Sequence, residues 1–178
     1  MRVIAGRLGG RMFDSPRGHR THPMSDKIRG ALFNMLGDLG GLNVLDAYAG
    51  SGALSIEAIS RGAVSSLAID LDKAAFQAIQ ANLETLGLQE QVQVLRKNVA
   101  TWSNNNIAQK FDVVVADPPY NDVNPAVIGR LTRHVKPGGV FILSWPGGYT
   151  TPQYTQLKQV SLKSYGDAQL AAYLAPAA

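Results

Sequence analysis

The sequence of 178 residues contains no cysteine, which excludes disulfide bonds and thiolate metal sites. Its three histidines, His19, His22 and His134, are not spaced as metal ligands. No apolar run approaches the roughly 18 residues that span a membrane, and the N-terminus lacks the apolar stretch of a signal peptide. These absences predict a cytoplasmic protein with neither a bound metal nor a membrane partner.

The basic charge is confined to one end of the chain. Residues 1–29 contain seven basic and two acidic side chains, whereas the remainder contains ten basic and eleven acidic ones, so the net charge of +4 comes from this segment. Glycine and proline separate its arginines, as in a basic arm or hairpin that can lie along phosphates; a solvated basic terminus is the alternative. We expect a single domain, residues 1–178, with residues 1–23 as the arm and 24–178 as a helix plus core.

The pattern of apolar residues predicts an α/β fold. Glycines at positions 6, 9 and 10 suggest a short N-terminal hairpin, and Ser25 is a suitable N-cap for a helix that ends near Gly37. From Leu42 onward, short apolar runs alternate with helical stretches, which indicates a parallel sheet covered by helices. The predicted strands are 43–47, 66–70, 92–97, 112–117 and 140–145, the helices are 53–61, 73–86 and 125–135, a turn is 136–139, and an edge hairpin combines 159–162 with 169–174.

The tetrapeptide Asp117-Pro118-Pro119-Tyr120 closes the apolar run 113–116. Because proline cannot donate to a sheet and disfavours helix in the residue before it, the strand must stop at Asp117. A carboxylate, the Pro118 carbonyl and an aromatic face are then held rigidly at a strand end. A tight surface turn is the alternative interpretation.

A glycine turn follows the first core strand and opens a helix. Gly50 and Gly52 allow the backbone to approach a ligand at the carboxyl edge of the sheet. The third glycine of a dinucleotide fingerprint is replaced by Ser55, which weakens a pyrophosphate interpretation, and the carboxylate of Asp46 suits a cationic group instead. A cofactor with an amino-acid moiety, such as S-adenosylmethionine, fits this pattern. The residues assigned to its binding here are Asp46, Tyr48, Gly50, Ser51 and Gly52.

The ends of the next two strands complete the predicted cofactor site. An acidic side chain about 20 residues after the glycine turn can accept both ribose hydroxyls of an adenosine. We predict Asp70 for this role, with Asp72 as the alternative, because Asp72 is the better N-cap for the next helix; Leu71 is assigned to the same site. By analogy, Asn98 contacts the adenine amino group and Val99 packs on the ring, although an ordinary turn asparagine is nearly as good an explanation.

The tetrapeptide suits methylation of an amino group on a nucleobase. Such a group is a poor nucleophile because its lone pair is delocalised into the ring. The Asp117 carboxylate and the Pro118 carbonyl can hold its two hydrogens and aim the lone pair at a sulfonium methyl, while Tyr120 stacks on the base. The proton leaves afterwards, so no histidine base is required.

The chain resembles the RsmD family of class I S-adenosylmethionine-dependent methyltransferases over nearly its whole length. The resemblance is carried by segments 2–6, 26–29, 31–34, 45–54, 57–58 and 117–120. It implies methylation of guanine N2 in 16S ribosomal RNA. The RNA can be free or in a partly assembled small subunit, and a monomer is the default expectation. It also implies a Rossmann-like, doubly wound, mostly parallel seven-stranded sheet with helices on both faces, a small N-terminal hairpin and helix extension, and a flipped target base at Asp117-Pro118-Pro119-Tyr120.

The sequence departs from the family pattern before and inside the first helix. His22-Pro23-Met24 replaces the usual Arg-Pro-Thr, and Gly30 replaces a glutamate. The residues expected to bind RNA are Arg7, Arg11, Arg17, Arg20, His22, Lys27 and Arg29. Other possible activities are methylation of adenine N6 or protein glutamine N5, a nicotinamide-dependent oxidoreductase, and a noncatalytic RNA-binding module with the same fold.

Overall fold

The structure, a computed structural model, describes residues 1–17 and 24–178. Its helices are α1 (Asp26–Leu36), α2 (Ala53–Ser60), α3 (Lys73–Leu86), α4 (Val99–Asn105) and α5 (Pro125–Leu131). Its strands are β1 (Asn43–Ala47), β2 (Ser65–Asp70), β3 (Val92–Arg96), β4 (Phe111–Ala116), β5 (Val135–Pro146), β6 (Lys158–Tyr165) and β7 (Ala168–Leu174). Two short 3-10 turns, Tyr120–Asp122 and Thr132–His134, flank α5.

The seven strands form one sheet in the order β3-β2-β1-β4-β5-β7-β6. The pairs from β3 to β5 are parallel, and β7 runs antiparallel between β5 and the edge strand β6. The predicted mostly parallel, Rossmann-like sheet with a C-terminal edge hairpin is therefore confirmed. Because β1 has β2 on one side and β4 on the other, the chain changes direction across the sheet at the carboxyl end of β1, where α/β proteins bind ligands.

Three elements differ from the sequence prediction. The predicted helix 125–135 ends at Leu131 and is followed by the 3-10 turn Thr132–His134 and by β5, which already begins at Val135. Residues 99–105 form α4 although their side chains are mostly poor helix formers, because Asn98 caps the helix and Trp102 is buried beneath it. The predicted turn at 136–139 lies within β5 as a wide bulge, where the register with β4 shifts between Phe111 and Val113. The chain stays in the sheet there because Gly138 N–H donates to the Pro176 carbonyl and the Gly139 carbonyl accepts from Ala175 N–H.

The N-terminal residues form a packed hairpin. Arg2 and Met12 make an antiparallel bridge, and the backbone N–H groups of Ile4 and Ala5 donate to the Glu57 carboxylate at 2.8 and 3.0 Å. A side chain at Gly6 would collide with the Ser60 carbonyl, 1.9 Å from the position of a Cβ. The hairpin thus covers α2, all eight of whose residues are buried between it and the sheet.

The core has one layer on each face of the sheet. One face packs against α1, α2, α3 and the N-terminal hairpin, and the other packs against α4, α5 and the segment around Tyr154. Ser25 caps α1 through Ile28 N–H, as predicted. Among the described residues, no helix is both long enough and apolar enough to cross a bilayer.

Candidate active site

The turn between β1 and α2 is shaped by left-handed backbone conformations. Gly50 and Gly52 have φ of 58° and 79°, and a Cβ at Gly52 would meet Ile79 Cγ1 at 3.1 Å. Tyr48 has φ of 60°, which is the one positive value for a non-glycine residue in residues 1–17 and 24–178. Such a conformation costs roughly 1–2 kcal/mol for a residue with a side chain. Strain of this kind often marks a functional turn.

Asp46 is fully buried on β1 directly below this turn. Its Oδ2 accepts hydrogen bonds from the backbone N–H and the hydroxyl of Ser55, at 3.1 and 2.7 Å. Its Oδ1 is buried and has no hydrogen-bond partner in the part of the chain that the structure describes. Burial, partly offset by Ser55, raises the pKa of Asp46 to about 7. The site therefore contains an acidic oxygen that can accept a hydrogen bond from a cationic ligand.

Ser55, which in the sequence stands out only as the replacement of a fingerprint glycine, holds the Asp46 carboxylate. Its hydroxyl lies between Asp46 and Ser66 of β2, 2.8 Å from the Ser66 hydroxyl. It fixes the orientation of the Asp46 carboxylate, and it does so from the first turn of α2. The sequence could have indicated this contact, because a residue nine positions after Asp46 falls in the first turn of the helix that follows the strand and the glycine turn.

Asp70 lies at the end of β2 and is tied to the glycine turn. Its two carboxylate oxygens accept from Gly50 N–H at 2.8 Å and from Asp72 N–H at 2.9 Å. Burial raises its pKa. Asp72 caps α3 through Ala75 N–H, as predicted, so its carboxylate is engaged away from the turn. Leu71 is exposed, and its carbonyl accepts from Arg96 Nε.

Asn98 and Val99 have structural roles. The side-chain oxygen of Asn98 accepts from Thr101 N–H at 3.1 Å and caps α4, so the acceptor predicted for an adenine amino group is already engaged. Val99 is 6% exposed and packs in the core beside Trp102. The alternative of an ordinary structural asparagine therefore explains this position better than contact with adenine.

Asp117 follows β4 and lies beside Asp46, whose pKa it helps to raise. Burial raises the pKa of Asp117 to about 6, against a hydrogen bond from Ser144 that lowers it. Pro118 is buried and Pro119 is exposed. Tyr120 begins a 3-10 turn, is 38% exposed, and places its hydroxyl 2.6 Å from the Ser144 hydroxyl. A carboxylate, a carbonyl and an aromatic ring thus meet at one strand end.

The sheet brings the predicted cofactor and acceptor residues together. β2, β1 and β4 are neighbours, so Asp70, Asp46 and Asp117 lie at adjacent carboxyl ends. Within residues 1–17 and 24–178, no cluster of three or more histidine or acidic side chains is arranged to hold a metal ion. The arrangement can bind a ligand with a positive charge and a polar hydroxylated part, next to a clamp for an amino group.

The basic residues predicted to bind RNA are placed at different edges of the sheet. Arg7 contacts the Gln91 side chain before β3, and Arg11 reaches the Thr85 carbonyl near the end of α3. Both partners therefore lie at the amino-terminal ends of the strands, whereas Asp117 lies at the carboxyl-terminal ends. By contrast, the chain at Asp14 lies close to the glycine turn. Asp14 N–H donates to the side-chain oxygen of the buried Asn82, and the Asn82 amide donates to the Asp14 carbonyl and to the Ser51 carbonyl, the latter at 3.3 Å.

The remaining predicted RNA contacts separate into three groups. Arg17, which follows Asp14, is exposed, as is Lys27 in the first turn of α1. Arg29 is 0% exposed, so the prediction that it contacts RNA is wrong: its guanidinium is held by the Arg2 carbonyl, Asp26 and Glu57. Arg20 and His22 lie outside the described residues, as does Pro23 of the segment that departs from the family pattern.

Comparisons with known proteins match this chain to methyltransferases of several kinds, among them rRNA methyltransferases and ribosomal protein L11 methyltransferases. A family model described as "Conserved hypothetical protein 95" matches residues 1–174. YlbH of Bacillus subtilis strain 168, named provisionally as an rRNA methyltransferase, is 40% identical over 126 residues, which are 68% of this chain and 68% of that protein. Ribosomal RNA small subunit methyltransferase D of Escherichia coli K12 is 35% identical over 124 residues, or 67% of this chain and 60% of that protein. The solved structure of yhhF from Escherichia coli, provisionally named a methyltransferase, has a TM-score of 0.86 at 27% identity and covers 100% of this chain and 99% of that one.

Proposed function

This protein belongs to the RsmD family, whose model carries the description "Conserved hypothetical protein 95", and on that premise we propose that it transfers a methyl group from S-adenosylmethionine to the N2 amino group of a guanine in small-subunit ribosomal RNA. The observation that carries the proposal is the placement of Asp117 beside Asp46, whose buried Oδ1 has no hydrogen-bond partner among residues 1–17 and 24–178. The substrate is ribosomal RNA, free or in a partly assembled small subunit, and we propose that the enzyme acts as a monomer.

The residues around the glycine turn fit S-adenosylmethionine. Asp46 Oδ1, which is buried without a hydrogen-bond partner among the described residues, would accept from the ammonium group of its amino-acid moiety, and the turn of Gly50, Ser51 and Gly52 would let the backbone pass close to the ligand. Asp70 can exchange its hydrogen bond to Gly50 for the ribose hydroxyls. When bound, the cofactor supplies an electrophilic methyl group on a sulfonium. The same turn suits a pyrophosphate poorly, because Asp46, Asp70 and Asp117 would surround it with negative charge.

The acceptor side of the site works by positioning. Asp117 and the Pro118 carbonyl can accept the two hydrogens of an exocyclic amino group, and the exposed ring of Tyr120 can stack on the base. Holding well-aligned reactants together can contribute roughly 7–11 kcal/mol to lowering a barrier. The proton leaves the nitrogen after the new bond has formed, so the positively charged product needs a nearby acceptor or water and no dedicated base.

A carboxylate at position 117 supports guanine over adenine as the acceptor. Guanine presents adjacent N1–H and N2–H donors on its Watson–Crick edge, and two carboxylate oxygens can accept both. Adenine presents its N6–H donors beside the N1 lone pair, which an ionised Asp117 would repel. Because carboxylates accept and do not donate, the charge of Asp117 suits the two guanine donors, but the clamp for the amino hydrogens also fits adenine N6, so membership of the RsmD family carries the choice of guanine.

The proposal is tested by methylation of ribosomal RNA lacking its native modifications. The purified protein, a labelled methyl donor and either naked RNA or immature small subunits are combined, and nucleosides are identified by mass spectrometry. We expect label in N2-methylguanosine. Label in N6-methyladenosine or in a protein glutamine would overturn the substrate, whereas absence of transfer with intact cofactor binding would favour a noncatalytic RNA-binding module. Calorimetric binding of NAD in place of S-adenosylhomocysteine would favour an oxidoreductase.

A further inference from the structure

Ser144 lies near the end of β5, in the otherwise apolar run 140–145. It is 2% exposed, so its hydroxyl is buried. β4 and β5 pair in parallel register up to Ala116 and Leu143, so the next residues along the two strands are Asp117 and Ser144. Neighbouring residues of parallel strands in register point to the same face of the sheet. Ser144 therefore lies beside the acceptor site on the face that Asp117 and Asp46 share.

The chemistry of the three groups fixes the direction of their hydrogen bonds. Tyr120 Oη lies 2.6 Å from Ser144 Oγ, and the register of β4 with β5 puts the Ser144 hydroxyl beside Asp117, whose pKa it lowers. An ionised carboxylate can only accept, so the single hydroxyl proton of Ser144 points to Asp117. The Ser144 oxygen is then left as the acceptor for the Tyr120 hydroxyl. The result is a chain in which Tyr120 donates to Ser144 and Ser144 donates to Asp117.

We propose that Ser144 is a positioning residue that joins the stacking ring of Tyr120 and the acceptor carboxylate of Asp117 into one rigid unit. The inference rests on the proposed function for the identity of the base, but the chain itself involves protein atoms alone. By using one lone pair of Asp117, Ser144 orients the carboxylate and leaves its other lone pairs for the amino hydrogens of the substrate. By holding the Tyr120 hydroxyl, it sets the plane on which the base stacks.

The chain also keeps the carboxylate ionised. Burial raises the pKa of Asp117 to about 6, and the hydrogen bond from Ser144 opposes that rise. The titratable groups that act in its surroundings are Asp46 on β1 and Tyr120 itself. Removing the Ser144 hydroxyl therefore raises the pKa of Asp117 further, and protonated Asp117 loses the charge that attracts the amino hydrogens.

The first test compares Ser144→Ala with Ser144→Thr and with Ser103→Ala. Ser103 is equally buried and bonds His134 on the other face of the sheet, so its variant controls for loss of a buried hydroxyl. We expect Ser144→Ala to lower kcat about tenfold, the scale of one hydrogen bond to a charged group, with unchanged affinity for S-adenosylhomocysteine. The acid limb of its pH–rate profile should move to higher pH. Ser144→Thr should retain both properties, and Ser103→Ala should leave the limb in place.

The second test probes the chain as a unit and does not depend on the RNA substrate. Carbon-13 NMR of the aspartate carboxyl groups, with Asp117→Asn used for assignment, should show a higher Asp117 pKa in Ser144→Ala than in the wild-type protein and the Ser103→Ala control. The double variant Ser144→Ala/Tyr120→Phe should lose no more activity than Ser144→Ala alone. An unchanged Asp117 titration, or fully additive losses, would overturn the proposal. If the NMR shift is seen but RNA is not methylated, the proposed function fails and the chain stands.

Discussion

The Nε atom of Arg29 lies 3.8 Å from Oε1 of Glu57, and solvent reaches neither side chain appreciably. Glu57 also accepts from Arg61 Nε at 2.8 Å and from two backbone N–H groups of the N-terminal hairpin. This ion pair therefore connects α1, α2 and the hairpin. Arg29 stabilises the scaffold that carries the site, although its sequence context made it a candidate for RNA binding.

We expect Arg29→Ala to destabilise the fold. Removing the buried guanidinium leaves a cavity and takes a donor from the Arg2 carbonyl, and such losses typically cost about 2–5 kcal/mol, although Glu57 keeps Arg61 and the two hairpin N–H groups. Urea denaturation measures the free energy of unfolding, and Lys27→Ala, an exposed change two residues earlier, should alter it by less than about 0.5 kcal/mol. A stable Arg29→Ala protein with a selective loss of RNA affinity would contradict this assignment.

Affinity for the cofactor should depend on pH through Asp46. Its carboxyl group has a pKa of about 7 in the free protein, and only the ionised form attracts an ammonium group. Binding of S-adenosylhomocysteine, which carries the same amino-acid moiety, should therefore strengthen as pH rises through about 7. Calorimetry between pH 6 and 8 measures this trend.

Asp46→Asn is the matching variant for that prediction. It should bind S-adenosylhomocysteine at least tenfold more weakly at pH 8, the scale of a charge-assisted hydrogen bond, and with a flatter pH dependence. Asp72→Asn, at the α3 cap, should keep the wild-type profile. If Asp46→Asn retained both the affinity and its pH dependence, the amino group would have to bind elsewhere.

His134 should make the fold less stable in mild acid. Its Nδ1 lies 2.8 Å from the Gln109 carbonyl, which can only accept, so Nδ1 carries the proton and Nε2 accepts from the Ser103 hydroxyl. Burial of this neutral ring lowers its pKa. The unfolded chain therefore takes up a proton before the folded one does, and stability present above pH of about 6.5 is lost as pH falls. Asp46 and Asp117, whose pKa values are raised, change stability in the opposite direction over the same range. The free energy of unfolding of wild type relative to His134→Gln, measured by denaturation, should therefore fall as pH decreases from 8 to 5.

RNA affinity should depend on Arg17 more than on Arg11. The Asp14–Asn82–Ser51 contacts place the chain beside the glycine turn three residues before Arg17, whereas Arg11 reaches Thr85 at the opposite edge. Arg17→Ala should weaken RNA binding severalfold. The slope of log affinity against log salt concentration should become shallower by about one, the change expected for one lost phosphate contact. Filter binding at several salt concentrations measures both. Equal losses for Arg11→Ala would indicate that RNA wraps around the far edge.

The parts of the fold that follow from local patterns could be predicted, and the parts that depend on tertiary contacts could not. β1 and α3 begin and end where alternating apolar runs and the Asp72 cap place them. The strand order, which brings Asp46 and Asp117 together, is the one expected of a doubly wound sheet, in which the chain returns after β3 to the other side of β1. The burial of Arg29 depends on a hairpin residue, Arg2, 27 positions earlier in the chain. Ser144 lies beside Asp117 only because of the register of β4 with β5. Neither relationship has a local signal in the sequence.

The most direct measurement of the central claim is methyl transfer by Asp117→Ala, together with its affinity for S-adenosylhomocysteine. Loss of a preorganised acceptor at the reacting group typically lowers kcat by about 10²–10³. We expect a loss of that size in formation of N2-methylguanosine, with cofactor affinity within about twofold of wild type because Asp46 and Asp70 remain. Methylation at the wild-type rate, or a loss explained by failure to bind the cofactor, would contradict the assignment of Asp117 as the clamp for the acceptor amino group.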